Sequence, residues 1–461
     1  MNRLRIAALA GAVGLVLADS SIVVLALPEI FREFDTTIAG VSWVLIVFNL
    51  VLAVLAVPGA RIARRYGPGR SAAIGLAVFA GGSLVCGLAT GLGPLLTGRA
   101  VQAAGGAVAV TAALELMVGT FGSDRKAIAT WVGAGAVGAA IGPGLGGVLT
   151  ELVSWQSIFL IQVPVAILAG VPLRETIIEE TREWRIPDRF GTEGPSAGKD
   201  DGKPHLPANA ALALVSAAIA ATLFLVVILL IEGWRLTPIE AALVVTVLPV
   251  ATLAGARVGR SIDSIRLRAA SGAILLAGGL ASLGLLPDAN VIYVIPPQIL
   301  AGVGLSLVLS ALTEAALHGQ SAASVHGGWT IAARHLGVVV GLILLTPVFT
   351  HQLEVQRESA LDAGTSILLE SEIDPLEKID LGARLAETVQ GETDRVPDVR
   401  PAFEPLPVDP EERNAYEAVL AGLEDQLDRA ATHAFSLAFL ISALFGLLAL
   451  IPIGMTRRLD L

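Results

Sequence analysis

Apolar residues fall in twelve stretches along this chain, at 5–27, 38–60, 71–91, 94–119, 127–150, 157–173, 209–232, 237–256, 267–286, 290–316, 327–350 and 433–456. A helix rises about 1.5 Å per residue, so about 20 apolar residues cross a hydrocarbon core roughly 30 Å thick. The pattern therefore predicts an all-α membrane protein of about twelve transmembrane helices. Two of the polar intervals are long. Residues 174–208 are rich in charge, Pro and Gly and read as a linker. Residues 351–432 are long for a loop, which predicts structure of their own. Within them Tyr416, Leu420, Leu423 and Leu427 recur at helical spacing, so an amphipathic helix is expected to lead into the last span. The expected organisation is a six-helix bundle over 1–173, the linker 174–208, helices seven to eleven over 209–350, the segment 351–432, and the last helix with its tail over 433–461.

Basic residues in short loops set orientation. Arg61, Arg64, Arg65 and Arg70 lie between spans two and three, and Arg125 and Lys126 between four and five. Arg257, Arg260, Arg266 and Arg268 lie between eight and nine, and Arg457 and Arg458 follow the last span. The alternate loops, around Thr36, Leu92, Val153, Leu236 and Asp288, hold very few bases. Both termini and the linker are thus expected in the cytoplasm of a cell (inner) membrane protein, with 351–432 outside. Trp43 and Trp155 fall near outer ends of spans, where aromatic belts are expected.

Composition supports the bilayer as solvent. Of 461 residues, 54% are hydrophobic and 16% charged, against about a quarter charged in an ordinary soluble domain. The net charge of −10 belongs to one segment: 351–432 carries 20 acids and 7 bases, leaving 21 acids and 24 bases elsewhere. The basic, then apolar stretch Met1 to Leu27 reads as a first span rather than a cleaved signal, because it is long and further spans follow at once. One cysteine, Cys86, rules out an internal disulfide, and the six histidines show no ligand spacing. No phosphate-binding Gly-Lys-Ser/Thr loop, nucleophile elbow or metalloprotease pattern stands in a fitting context. Neither an enzyme nor a bound cofactor is expected, and no basic surface points to nucleic acid.

The chain repeats at an offset of about 197. Gly59-Ala60-Arg61-Ile62-Ala63-Arg64 recurs as Gly255-Ala256-Arg257-Val258-Gly259-Arg260, and Gly75 with Ala80-Gly81-Gly82 recurs as Gly272 with Ala277-Gly278-Gly279. Two similar six-helix halves in one orientation are expected.

Several motifs add to this. They are Asp19-Ser20-Ser21-Ile22-Val23-Val24-Leu25-Ala26-Leu27-Pro28, Arg99-Ala100-Val101-Gln102-Ala103-Ala104-Gly105, the run Gly138 to Gly147, Trp155 to Phe159 with Val163-Pro164, and Arg334-His335-Leu336-Gly337 with Gly341. Together they resemble the drug:proton antiporters of the major facilitator superfamily, in the group that usually has fourteen helices. The match is densest over 15–165. It departs at Ala60 and Arg64, which stand at the Gly and Asp positions of the loop after helix two, while Arg65, Gly67 and Arg70 fit. Val24 and Ala103 replace an Asn and a Gly, and the linker takes the place of two central helices. The resemblance implies a major facilitator fold with the substrate site between its halves.

An ionisable group deep in an apolar helix costs roughly 2.5–3.5 kcal/mol unless paired or hydrated, and marks function by default. Asp19 is the candidate proton-coupling carboxylate and Arg99 its candidate partner; a fixed structural pair is the alternative. Glu115 and Glu314, late in their helices, are candidate relays or water-facing ends. Phe48, Asn49, Gln102 and Arg334 are candidate pocket residues, Arg334 either holding an anionic group or pairing with an acid. Arg61, Arg65, Gly67 and Arg70, with Gly142, Pro143 and Gly146, are candidate parts of the conformational switch. Small residues let helices approach, and Pro143 removes one backbone bond.

Three functions stay open on this sequence. One is proton-coupled export of hydrophobic or amphipathic small molecules. Another is export of a lipid or specialised metabolite, with a lipid or protein partner at 351–432. The last is a sensor or scaffold that does not transport.

Overall fold

The computed structural model describes residues 2–174, 176–178, 202–317, 322–390 and 398–456. Every regular element among them is helical. The first half contains α1 (Asn2–Val24), the short α2 (Leu27–Glu33), α3 (Ile38–Tyr66), α4 (Pro68–Gly87), α5 (Leu92–Phe121), α6 (Asp124–Leu152), α7 (Ser157–Leu160) and α8 (Gln162–Gly170). The second contains α9 (Leu206–Ile228), α10 (Pro238–Gly259), α11 (Ile265–Leu283), α12 (Val291–Leu317), α13 (Ala323–Glu370), α14 (Pro375–Gln390), α15 (Pro410–Leu448) and α16 (Leu450–Met455).

Local chemistry places the helix ends. The Thr37 hydroxyl accepts from Gly40 N at 2.9 Å to start α3, and Thr237 and Glu240 form a reciprocal capping box with Pro238 in the first turn of α10. Gly67 holds φ at +98° between α3 and α4, where a side chain would be strained.

Ten of these helices are long and apolar enough to cross a membrane among the described residues. The stretch expected as a sixth span is a 17-residue apolar helical run, Ser157–Leu173, interrupted at Ile161. The stretch expected as a ninth is α11, a 19-residue helix with Arg266 and Arg268 in its first turn. Most of the expected linker, with Arg457 and Arg458, lies outside the described residues.

The internal repeat is realised as packing. A Cβ on Gly75 would lie 2.8 Å from Gly105 O, and one on Gly105 would lie 2.5 Å from Gly75 O, so α4 and α5 touch backbone to backbone. Gly272 and Gly304 do the same for α11 and α12, at 2.7 Å each way. Likewise Gly138 meets Gly14 O in the α1–α6 pair, and Gly337 meets Ala213 O in the α9–α13 pair. Lipid tails are as apolar as leucine, so association within the bilayer rests on such close packing rather than on water exclusion.

The halves meet along two seams. Gly328 of α13 abuts Ala56 and Val57 of α3, and Gly147 of α6 abuts Ala242 and Pro238 of α10. Arg32 pairs with Glu232 at 2.9 Å, and Glu151 accepts from Ile239 N at 2.8 Å, a carboxylate set at the start of α10.

Residues 351–432 contain helix rather than an irregular loop. α13 runs unbroken to Glu370 over 48 residues, about 72 Å at helical rise. α15 carries the acidic stretch directly into the last span. Leu368, Ile373, Leu381, Phe403, Tyr416, Leu423 and Leu427 form a separate apolar core between them. Arg235 bonds Glu424 at 3.2 Å, and Trp234 donates to the Thr432 hydroxyl at 3.0 Å, tying this unit to the bundle.

Gly105→Val and Gly304→Val are expected to wedge their helix pairs apart and sharply lower the thermal stability of detergent-purified protein. Gly81→Val, with nothing within 4 Å of the added Cβ, should leave the melting curve unchanged. Melting followed by size-exclusion chromatography after heating checks both.

Candidate functional site

Helices α1, α4, α5 and α8 of the first half share one buried polar network around a carboxylate. Asp19 of α1 is wholly buried, as are Arg99 and Gln102 of α5, Ser83 of α4 and Gln162 of α8. Arg99 Nη1 donates to Asp19 Oδ2 at 2.6 Å. Gln102 Nε2 and Gln162 Nε2 reach Asp19 Oδ1 at 3.0 and 3.1 Å. Arg99 and Gln102 are three residues apart and share a helix face.

The outer contacts of this cage are also specific. Arg99 Nη1 donates to Gln102 Oε1 at 2.6 Å, and Arg99 Nε to the carbonyl of Val44 on α3 at 3.1 Å. Gln102 Nε2 faces Ser83 Oγ at 2.9 Å and Gln162 Oε1 at 3.2 Å besides Asp19. Two hydrogens thus serve three acceptors, and the longest contact is shared. Arg99 Nη2 has no hydrogen-bond partner. The guanidinium instead lies over the Phe48 ring at 4.1 Å and near Phe159 at 5.6 Å, where the π faces offset part of the burial cost.

Phe48, Asn49 and Gln102 are enclosed in packed interior. Asn49 Nδ2 donates to Leu45 O at 2.8 Å and reaches Ser20 Oγ at 3.5 Å. Its Oδ1 lies 2.6 Å from His335 Nδ1 on α13. An amide oxygen only accepts, so His335 carries its proton on Nδ1. That bond joins the two halves. Arg334 beside it is half-buried and, among the described residues, makes no hydrogen bond or ion pair.

The remaining candidates are dispersed. Glu314 pairs with Arg268 at a half-exposed position. Glu115 is half-buried and makes no hydrogen bond or ion pair among the described residues. Arg61 and Arg65 are exposed and Arg70 is half-buried around the Gly67 turn; the Arg65 guanidinium stands 5.5 Å from the Tyr66 ring centroid. A Cβ on Gly142 would strike Ser21, and one on Gly146 would lie 2.4 Å from Ile22 O, so α6 presses against the stretch of α1 that holds Asp19. Pro143 sits inside α6 between them.

Trp155 corrects an expectation. It is fully buried, packs edge-on against Phe34 at 5.5 Å and Phe159 at 6.2 Å, and donates to Glu33. It is a packing residue because its ring is enclosed by Phe34 and Phe159 while its indole N–H reaches the exposed Glu33 carboxylate; Trp43 is 46% exposed, as a belt residue would be. Gln162, Ser83 and His335 escaped the sequence reading. Gln162 had a signal, as a lone amide in an apolar run, but its partners Asp19 and Gln102 come from two distant helices, α1 and α5.

Residues 9–342 match the Major Facilitator Superfamily. Over 174 residues the chain is 35% identical to "Multidrug resistance protein Stp" of Mycobacterium tuberculosis, covering 36% of this chain and 32% of that protein. It is 33% identical over 190 residues to "Tetracenomycin C resistance and export protein" of Streptomyces glaucescens, covering 40% and 35%. With "Cephamycin export protein CmcT" of Amycolatopsis lactamdurans it shares 36% over 156 residues, covering 33% and 32%. The aligned stretch thus spans about a third of each relative. The fold is similar to that of a bacterial homolog of the human lysosomal transporter Spinster, crystallised inward-facing and unoccupied, with a TM-score of 0.61, 15% identity, and coverage of 100% and 99% of the two chains.

Removing one member of a buried pair strands the other, at a cost of about 3–5 kcal/mol, whereas replacing both with apolar groups is often near neutral. Asp19→Leu and Arg99→Met are each expected to destabilise the protein by about that much, and the double variant to recover most of the loss. A double-mutant cycle on detergent unfolding reads this; additive losses would contradict the pairing.

Proposed function

The chain belongs to the major facilitator superfamily, and from that premise we propose that it is a proton-coupled exporter of amphipathic small molecules. The carrying observation is the wholly buried Asp19, bonded at once to Arg99, Gln102 and Gln162. In this state the carboxylate is charge-balanced and cut off from water. Placing a proton on it would leave the guanidinium without its counter-charge, so protonation requires the cage to open. Opening means moving α1 against α5 and α8. α1 is in close contact with α6 through Gly138, Gly142 and Gly146, and α6 meets the second half at Gly147. A proton on Asp19 thereby acts on the seam between halves, and substrate and proton alternate through one conformational change. The export direction is supported by relatives named for drug resistance and antibiotic export.

In this reading twelve spans place both termini in the cytoplasm and the acidic unit outside. Outward opening separates Arg32 from Glu232 and Glu151 from the start of α10. Gly67, with Arg61, Arg65 and Arg70, forms the cytoplasmic hinge between α3 and α4.

Proton flux in proteoliposomes under an imposed pH gradient tests the coupling. Adding lipophilic cations, anions and neutral drugs in turn should reveal a compound that triggers flux in the wild type. Asp19→Asn should abolish that flux while binding persists; flux unchanged in Asp19→Asn would remove Asp19 from the mechanism. Topology is read separately. Cys86 is buried, so Val408→Cys, at a position 91% exposed, should react with a membrane-impermeant maleimide in intact cells. Labelling only after lysis would invert the orientation.

A further inference from the structure

Among the described residues, Arg334 and Glu115 are half-buried charges of the bundle that stand outside its ion pairs. Arg99 is balanced by Asp19. Arg334 is not balanced: among the described residues it makes no hydrogen bond or ion pair, and a guanidinium does not give up its proton in a protein.

Its position along α13 puts it inside the stretch Ala323–Gln356, which is long and apolar enough to cross a membrane. It lies eleven residues after Ala323, where α13 begins, or about 16 Å along the helix axis. The helix faces fix its direction. Trp329, Leu336, Val340 and Ile343 are the exposed, lipid-facing residues, from 36% to 49% accessible. Gly328 and His335 contact α3, and Gly337 and Gly341 pack on α9. Arg334 falls between those two contact faces and away from the lipid face. It stands two turns above Gly327, whose added Cβ would lie 2.6 Å from Leu114 of α5 in the opposite half. Residues seven apart share a face. Arg334 therefore lies between the face of α13 that meets the opposite half and the face that packs on α9.

An arginine so placed ordinarily pairs with an acid or snorkels to the interface. Snorkelling is blocked by depth and direction. Asp19 is held in its cage, Glu314 by Arg268 and Glu232 by Arg32. Glu115 adjoins Leu114, so it stands at the level of Gly327, about 10 Å along the axis from Arg334.

We propose that Arg334 is the anion-recognition point of the translocation path, and that the cargo is an amphipathic molecule bearing a carboxylate or similar oxyanion. This deepens the export reading and rests on it. The planar fork of the guanidinium suits a two-oxygen anion, and a charge-assisted bond in a dry site discriminates strongly against an uncharged isostere. The neutral Asp19–Arg99 cage leaves Arg334 as the unpaired guanidinium beside the seam, and a cation held next to it is disfavoured.

Binding to protein in phosphatidylcholine nanodiscs tests the proposal with three fluorescent probes of one shape: 9-anthracenecarboxylate, its neutral amide, and 9-anthracenylmethylammonium. Empty nanodiscs correct for lipid partition. The wild type is expected to favour the carboxylate about tenfold or more over the other two. Arg334→Gln should erase that preference, Arg334→Lys should keep part of it, and Glu115→Gln should leave it intact. Equal or better binding of the cation, or a preference that survives Arg334→Gln, would overturn the proposal; so would a folded wild type that binds none of the three. Failure of the export reading shows elsewhere, as absent proton flux with every compound. Flux triggered by cations alone would overturn the charge assignment while leaving export standing.

Discussion

A charge inside a membrane must be answered by another group inside the membrane, and in this protein that constraint is met at one point by Asp19 and Arg99. The pair is not a lone contact. Gln102 and Gln162 complete the carboxylate, Ser83 and a Val44 carbonyl accept from Gln102 and Arg99, and two aromatic faces cover the cation. Five helices are thereby tied to a single carboxylate that contributes only while ionised. Buried pairs are seldom a net gain in stability over apolar packing. On the proposed coupling, the cage makes the arrangement of the first half depend on one proton.

The second half has the same scaffold without the charge. Counting 199 residues on, Gly105 maps to Gly304 and Gly138 to Gly337, and each pair makes the same backbone contact. The same count takes Asp19 to Ala218, Gln102 to Ala301 and Arg99 to Gln298. Gln298 is 1% exposed, and neither of its amide atoms has a hydrogen-bond partner. The glycine contacts that set helix spacing are common to both halves, whereas the wholly buried carboxylate–guanidinium pair belongs to the first. On the proposed coupling, such asymmetry suits a machine in which one half answers the proton. The other half contributes His335 to the seam.

Much of this was legible in the sequence because the bilayer imposes so few solutions. Apolar run length located the helices, and the repeat around Gly75 and Gly272 announced two related halves before any contact was seen. Asp19 and Arg99 stood out as charges in apolar runs, but sequence spacing of 80 residues could not show that they touch. Gln162 was hidden for a related reason: its importance comes from the convergence of α1, α5 and α8 and not from its neighbours in the chain. The expected sixth and ninth spans were harder, because one is interrupted at Ile161 and the other begins with arginines. Trp155 misled because proximity to a span end does not say which face of the helix a residue occupies. The acidic stretch was read as structured from its length and the Tyr416–Leu427 spacing. That α13 and α15 continue into it without a break had no local signal.

The central claim is that a proton on Asp19 opens the cage and shifts the seam between halves. Spin labels at Val153 and Leu285, both 69% exposed and on opposite halves, would report that shift by pulsed electron resonance distances in nanodiscs, with Cys86 replaced by serine. The expected result is an inter-half distance distribution that changes as pH falls in the wild type and is fixed at its low-pH form in Asp19→Asn at every pH. A distribution independent of pH in the wild type, or one that titrates identically in Asp19→Asn, would contradict it.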